Sequence, residues 1–175
     1  MSDIDAYISK VFETPRLFLR RLEWSDQDAL QSMLSDPDIM RFKGGTKRVG
    51  AAYRAIKFAK ADYGNHGYGF WAVANTNSEA FVGVCGLLNQ EVDVELEVEI
   101  AYTFLKAYWG RGYATEAARA VKHYGFSAFG FKRLVSLIHP ENKASIAVAT
   151  RIGMTHERDT EWNGELTRVY SVSNE

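Results

Sequence analysis

Residues 108–117 read YWGRGYATEA and contain two glycines, Gly110 and Gly112, that lie two residues apart. A strand-like apolar run precedes this stretch, and a helix-like run follows it. Glycine adopts backbone conformations with positive φ and lets another group approach the main chain closely. The first turn of a helix also offers unpaired N–H groups and a partial positive charge. The stretch therefore indicates a binding site for an anion such as phosphate. A glycine turn without a ligand is the alternative.

Two common phosphate-binding motifs do not fit this loop. A Walker loop ends in Gly-Lys followed by Ser or Thr, and this chain has no such ending here. A Rossmann loop needs a third small residue, where this chain has Thr115, and an acidic residue after the next strand, which is also missing. The strand before the loop alternates in polarity, whereas a central Rossmann strand is usually apolar on both faces. The anion site is therefore expected in another fold.

Length and composition describe an ordinary globular chain. It has 175 residues, of which 46% are apolar and 25% charged, with a net charge of −1. We expect a single domain over residues 1–175 with its core over about 14–172. The near-neutral charge argues against nucleic acid or an anionic membrane as partner. The start, MSDIDAYISK, lacks the apolar run of a secretory signal, and the lone Cys85 fits a reducing compartment, so we expect a cytoplasmic protein.

The pattern of apolar residues and turn signals predicts mixed α and β elements. Strands are predicted at 16–22, 70–74, 81–88, 92–104 and 133–138, with a final hairpin around residues 163–164. Helices are predicted at about 25–34, 49–63, from 115 onward, and 142–153. Ser25 and Asp28 form the expected capping box of the first helix, Asp36–Pro37 is expected to end it, and Asn142 is expected to cap the last helix.

The run from Val92 to Phe104 has the clearest pattern in the chain. Apolar residues at every second position alternate with Asp93 and three glutamates, Glu95, Glu97 and Glu99. Such alternation predicts one strand that buries one face and presents a row of carboxylates on the other. A bulge in this strand would change which residues share a face.

The element order and two motifs resemble the GNAT acyltransferase superfamily. Its loop reads Gln/Arg-x-x-Gly-x-Gly/Ala; Trp109 departs from the first position, but WGRGYATEA resembles the branch of Rim-type protein N-terminal acetyltransferases. HPENKASIAVATRIGM, residues 139–154, resembles that branch's Asn-x-x-Ser helix, with Arg151 and Met154 substituted. TPRLFLRRL, residues 14–22, resembles its first strand. The resemblance covers residues 14–172 and implies an α/β (α+β) acyl-CoA N-acyltransferase fold. This fold has a mixed, mostly antiparallel sheet of about six to seven strands and about four helices.

The resemblance also implies acetyl-CoA as cosubstrate. Main-chain N–H groups of the loop would bind its pyrophosphate at the helix start, and Phe104 would offer main-chain groups to its pantetheine arm. Lys106 and Ala107 stand where the branch often has a proline-containing turn. The expected coenzyme A-binding residues are Phe104, Trp109, Gly110, Arg111, Gly112, Tyr113, Ala114, Thr115, Asn142 and Ser145.

Acetyl transfer to an amine needs a base, donors that polarise the thioester and an acid for the leaving thiolate. Glu99 matches the carboxylate that the family uses as base, directly or through water, with Glu97 as the runner-up and a solvated strand face as the alternative. Ser145 matches the serine that assists the thiolate. Tyr102 and Tyr170 are the alternative acids, and a serine on the helix surface is the structural alternative.

The favoured function is N-acetylation of a primary amine, with the α-amino group of a peptide or protein N-terminus as acceptor. The glutamate row predicts a cationic acceptor, and a polyamine or aminoglycoside is left open. So are a non-catalytic coenzyme A-binding domain, a phosphate-binding regulatory protein and a homodimer. The four histidines share no metal-ligand spacing, and Cys85 lies in an apolar strand. We therefore expect no metal and direct transfer without an acyl-enzyme.

Overall fold

Eight strands form one mixed sheet in a computed structural model that describes residues 10–174. The strands are β1 (Lys10–Glu13), β2 (Leu17–Arg21), β3 (Phe70–Asn75), β4 (Phe81–Val92), β5 (Glu95–Phe104), β6 (Arg133–Ile138), β7 (Thr155–Trp162) and β8 (Glu165–Ser173). The helices are α1 (Gln27–Ser35), α2 (Pro37–Met40), α3 (Ala51–Asn65), α4 (Tyr113–Phe129) and α5 (Lys143–Arg151), with 3₁₀ turns at Trp24–Asp26 and Lys106–Tyr108. The spatial order is β1-β2-β3-β4-β5-β6-β8-β7.

The predicted fold class is confirmed, with one strand and one helix more than the sequence indicated. The additional strand is β1, and the additional helix is the short α2. Asp36 ends the first helix, as predicted, and also caps the start of α2. Its side chain accepts hydrogen bonds from the N–H groups of Asp38 and Ile39. The predicted Ser25–Asp28 capping box is wrong: the box consists of Glu23 and Asp26. The prediction for the N-terminal stretch falls mostly on residues 1–9, outside the described residues.

The prediction of one strand from Val92 to Phe104 is wrong. Asp93 and Val94 have φ values of 51° and 64° and form the turn of a hairpin between β4 and β5. Two residues with positive φ are favoured in such turns because their backbone twist matches that of the strands. Val94 and Leu96 are exposed, whereas Glu97 and Glu99 are each only 8% exposed. The carboxylates therefore do not form a surface row.

The central strands are covered on both faces. Helix α4 packs against β2, β4 and β5, while α1 packs against α3 and β4. Gly125 of α4 lies against Leu87 of β4. Since successive strand residues point to opposite faces, the next residue, Leu88, points away from α4. Glu99 is paired with Leu88 and therefore lies on the sheet face opposite α4.

The sheet is interrupted between β5 and β6, the one parallel pair among the described strands. Only Glu99 and Val135 are in register, so the two strands diverge on either side of this pair. Side chains take the place of the missing ladder: Ser136 Oγ donates to the Ile100 carbonyl at 2.8 Å, and Leu137 N donates to Glu99 Oε1 at 3.4 Å. The divergence opens a space in front of α4 and α5. No helix within residues 10–174 combines the length and apolar character needed to cross a bilayer.

Candidate functional site

A cleft of about 1340 Å³ lies where β5 separates from β6. Its walls come from six parts of the chain: the turn between β1 and β2, the segment after α1, the end of β5, the loop that leads to α4, and the helices α4 and α5. The main lining residues used below are Asp38, Arg41, Lys43, Tyr102, Phe104, Trp109, Gly110, Gly112, Arg119, Asn142, Ser145 and Arg151. The cleft therefore gathers residues that are distant in the sequence, from Glu13 to Arg151.

The glycine loop has the geometry that the sequence indicated. Gly110 and Gly112 have φ values of 73° and 78°, which residues with a side chain rarely adopt. A Cβ at Gly110 would meet no atom within 4 Å, so open space lies above the main chain. The N–H groups from Gly110 to Thr115 donate to no acceptor in the described chain, whereas Glu116 N donates to the Gly112 carbonyl at 3.0 Å. Six unpaired donors at the start of a 17-residue helix can bind an anion.

Arg16 and Glu116 hold this loop against the start of β2. Arg16 Nε donates to Glu116 Oε2 at 2.7 Å, and Arg16 Nη1 donates to the Arg111 carbonyl at 2.9 Å. Burial alone would raise the pKa of Glu116, but hydrogen bonds from Thr14 and Arg16 hold it below its ordinary value. A carboxylate in the first turn also interacts favourably with the helix dipole. The loop conformation is therefore fixed before any ligand binds.

Trp109 connects the loop to the end of β5. Its Nε1 donates to the Phe104 carbonyl at 2.9 Å, and its ring is about half exposed at the cleft. The Phe104 side chain is buried in the core, as the sequence indicated, so only its main chain is left for a ligand. One lone pair of the Phe104 carbonyl is already used by the indole.

Asn142 and Ser145 meet at the start of α5. Asn142 Oδ1 accepts from Ser145 N at 3.2 Å, so its predicted role as helix cap is confirmed. Tyr102 donates its hydroxyl proton to the Ser145 carbonyl at 3.0 Å, and burial raises the pKa of Tyr102. Ser145 lines the cleft, and a hydrogen bond with its side chain partly offsets the effect of burial on the pKa of Tyr102. Tyr170 instead packs against His156, with ring centroids 5.5 Å apart.

Glu99 is buried in the same strand as the cleft-lining Tyr102. Gln90 Nε2 donates to its Oε2 at 2.8 Å, and burial raises the pKa of Glu99. The nearby positive charge of Lys43 acts in the opposite direction. A carboxyl group with a raised pKa is a better proton acceptor than an ordinary surface glutamate, provided that water or substrate reaches it.

The runner-up base, Glu97, is held in an ion-pair network. Arg133 Nη2 lies 3.0 Å from Glu97 Oε1, and Arg133 Nη1 lies 2.7 Å from Glu157 Oε2. These bonds hold the pKa of Glu157 at about 2. The exposed Glu95 lies at the β4–β5 hairpin, away from the cleft-lining residues. Of the three glutamates, only Glu99 is buried without an arginine partner.

Four basic residues of the cleft did not stand out in the sequence. Arg41 and Lys43 lie in RFKGGTKR, residues 41–48, whose basic character was the available signal. Arg119 is one turn beyond Thr115 on α4 and donates to the carbonyl of Arg151 at 2.9 Å.

Cys85 is fully buried, and burial raises its pKa, which makes it a poor nucleophile. No cluster of three or more metal-ligating side chains occurs within residues 10–174.

Comparison with known proteins gives a consistent result. Residues 16–155 match the family model "Acetyltransferase (GNAT) domain". The chain is 36% identical over 152 residues to an uncharacterized protein of Bacillus subtilis (strain 168), YkkB, covering 86% of this chain and 88% of that one. It is 30% identical over 169 residues to an uncharacterized N-acetyltransferase of Bacillus licheniformis, p20, covering 91% and 93%. An acetyltransferase structure from Agrobacterium tumefaciens str. C58 is 27% identical, with a TM-score of 0.82 and coverage of 93% and 94%.

More distant structures share the fold and differ in their acceptors. A spermidine N-acetyltransferase from Vibrio cholerae, in complex with CoA and spermine, has a TM-score of 0.74 at 14% identity and covers 91% of this chain and 96% of its own. RimL, a ribosomal L7/L12 α-N-protein acetyltransferase in complex with coenzyme A, has a TM-score of 0.74 at 17% identity and covers 94% and 97%. Most of the chain matches the family model, and a relative of more than a third identity spans nearly the same length. The chain therefore belongs to the GNAT family of acetyltransferases and is an N-acetyltransferase of that type.

Proposed function

We propose that the chain transfers an acetyl group from acetyl-CoA directly to the α-amino group of a peptide or protein N-terminus. The main observation in support of acetyl-CoA binding is the row of unpaired N–H groups from Gly110 to Thr115. A pyrophosphate is the anion that such a row binds best, because several donors can point at its oxygens together. The positive φ values of both glycines and the open space at Gly110 support the same assignment.

Arg119 and Arg151 extend this anion site along α4 and α5. Both are exposed, line the cleft and form no ion pair within residues 10–174. Coenzyme A carries phosphate groups, and arginine binds phosphate through two parallel hydrogen bonds. The basic wall and the loop together would therefore hold the nucleotide part, so that the thioester lies towards Ser145 and the point where β5 and β6 diverge.

The residues at that point fit the proton transfers of the reaction. Glu99 would accept the proton of the attacking amine through a water molecule, because the carboxylate is buried and burial raises its pKa. Ser145 would donate a hydrogen bond to the departing thiolate, since it lines the cleft at the start of α5. Tyr102 is the weaker candidate because its proton is already donated to the Ser145 carbonyl. The burial of Cys85 favours direct transfer.

An α-amine suits this base better than an ε-amine does. The reference pKa is near 7.7–8.0 for an α-amino group and about 10.4 for lysine, so removal of the proton costs roughly 3–4 kcal/mol less. The expected glutamate row, which favoured a polycation, is absent because Glu97 pairs with Arg133. Arg41 and Lys43 at the cleft also repel a polycation. A polyamine is therefore the weaker candidate, although spermine is bound by one structural relative.

A competition assay tests the proposal. The protein is incubated with acetyl-CoA and a mixture of N-terminal peptides, free lysine, spermidine and an aminoglycoside, and the acetylated position is located by fragmentation. We expect acetylation at peptide α-amines. Exclusive modification of spermidine or the aminoglycoside would overturn the acceptor proposal, and acetyl-CoA binding without acetylation of any amine would indicate a non-catalytic domain. A cytoplasmic location and a homodimer stay predictions.

A further inference from the structure

The segment that follows α2 places Lys43 in the cleft. Phe42 stacks on His139, with ring centroids 5.0 Å apart and an interplanar angle of 27°. Asp38 pairs with Lys106, which lies between β5 and α4. The segment thus contacts both sides of the cleft. These contacts fix the backbone around Lys43 at the cleft.

Lys43 lies close to Glu99 at the inner end of the cleft. The two side chains interact electrostatically, and each shifts the pKa of the other. Glu99 lies on the sheet face opposite α4. The two groups are not within ion-pair distance, because no ion pair of Lys43 occurs within residues 10–174. The ammonium group therefore remains available to a ligand.

The carboxylates of the cleft leave no counter-ion for Lys43. Three carboxylates line the cleft, and each has a cationic partner: Glu13 pairs with Lys10, Asp38 with Lys106 and Glu116 with Arg16. Within residues 10–174 Lys43 forms no ion pair, and among the basic residues of the cleft it is the one that interacts with Glu99. The Lys43 side chain is exposed at the cleft, and desolvation by the neighbouring protein lowers its pKa. A cation without a counter-ion binds an anion favourably.

We propose that Lys43 binds a carboxylate of the acceptor, so that the acceptor amine carries a carboxylate on the same amino-acid residue. This inference rests on the proposed function, because it takes the inner end of the cleft as the place of the acceptor. The α-amine would lie towards Glu99 and the carboxylate towards the Lys43 ammonium. Two sources share this chemistry: a peptide that begins with an acidic residue, and a free amino acid.

A simpler role for Lys43 would be that of a counter-ion for Glu99. In that case its removal would change the rate for every acceptor by the same factor. A direct contact with the acceptor instead changes the ratio of rates between an acidic acceptor and its uncharged analogue. The test therefore measures the ratio of the rates for the acidic acceptor and its uncharged analogue. A change in the pKa of Glu99 alone alters both rates by the same factor and leaves this ratio unchanged.

The experiment compares kcat/KM for two amidated peptides that differ only in Asp or Asn at their first position. Free alanine and alaninamide form the second pair.

We expect the wild-type protein to prefer the Asp peptide by about tenfold, the effect of one charge-assisted hydrogen bond. Lys43→Met should bring the ratio to about one, Lys43→Arg should retain most of it, and the exposed Lys57→Met on α3 should leave it unchanged. Titration with acetyl-CoA should give the same affinity for all variants. A change in the alanine pair, but not in the peptide pair, would identify the free amino acid as the source.

Equal rates for Asp and Asn peptides together with an unchanged alanine pair would overturn the inference, as would a preference that survives Lys43→Met. Acetylation of α-amines without any such preference leaves the proposed function standing and refutes only the role of Lys43. Acetylation of spermidine with no reaction at α-amines overturns both.

Discussion

The two ends of the cleft are built from different parts of the polypeptide. At the α4 end, the main chain from Gly110 to Thr115 presents unpaired N–H groups. At the inner end, the side chains come from distant segments: Lys43 after α2 and Ser145 on α5 line the cleft, and Glu99 on β5 interacts electrostatically with Lys43. A main-chain site needs glycines at fixed positions and leaves a local signature in the sequence. A side-chain site depends on the fold to bring residues together, so its members are visible only in the structure.

The largest effect is expected at the main-chain end. Gly112→Asp places a negative charge and a side chain where the pyrophosphate is expected, at a φ of 78°. Affinity for acetyl-CoA should fall by about 3 kcal/mol or more, because the new carboxylate repels the pyrophosphate and Arg16 Nη2, 3.4 Å from a Cβ at this position, is already paired with Glu116. Calorimetric titration measures it, with Gly164→Asp in the β7–β8 hairpin as a control of similar φ, also 78°. Unchanged affinity in a folded Gly112→Asp protein would show that the phosphate binds elsewhere.

At the side-chain end, Glu99→Gln should lower kcat by about 100-fold or more, because the amide cannot accept the proton. In the wild-type protein, kcat/KM should rise with pH as Glu99 loses its proton, with an inflection above the ordinary value of 4.5 because burial raises the pKa. That inflection should disappear in Glu99→Gln. The exposed Glu95→Gln serves as the control. A full rate in Glu99→Gln at saturating substrate would remove Glu99 from the mechanism.

Ser145→Ala should lower kcat by at least about tenfold while acetyl-CoA affinity changes less. The hydroxyl is lost, but the backbone contacts of Ser145 with Asn142 and Tyr102 are retained. Single-turnover measurements give the rate of chemistry, and Thr150→Ala on the exposed face of α5 is the control. A rate within about twofold of the wild type would leave Tyr102→Phe as the next variant to measure.

The smallest effect is expected from Lys43→Met on the pH profile. The positive charge of Lys43 lowers the pKa of Glu99, so its removal should move the inflection of kcat/KM to higher pH. Lys57→Met should not move it. A shift to lower pH would mean that the ammonium does not act on Glu99 as the structure indicates.

The same contrast explains how far the sequence predicted the fold and the site. Gly110, Gly112 and Asn142 were identified because their roles are local, in positive φ and in a helix cap. The run from Val92 to Phe104 was wrongly predicted as one strand. Its alternation of apolar and polar residues continues through a two-residue turn, which only the φ values of Asp93 and Val94 reveal. The alternation also suggested exposed glutamates, because coverage of both faces by helices is a tertiary property. The role of Lys43 was not visible for the same reason, although RFKGGTKR marked a basic loop.

The single register pair between β5 and β6 also divides the sheet mechanically. Strands β1–β5 and strands β6–β8 form two continuous ladders, and the bonds between them come largely from side chains, Ser136 to Ile100, Glu99 to Leu137 and Arg133 to Glu97. Amide hydrogens that point into the gap should therefore exchange with solvent earlier than those inside either ladder. Acetyl-CoA that occupies the gap should slow this exchange. Equal protection across the sheet, with and without acetyl-CoA, would show that the two halves open only by global unfolding.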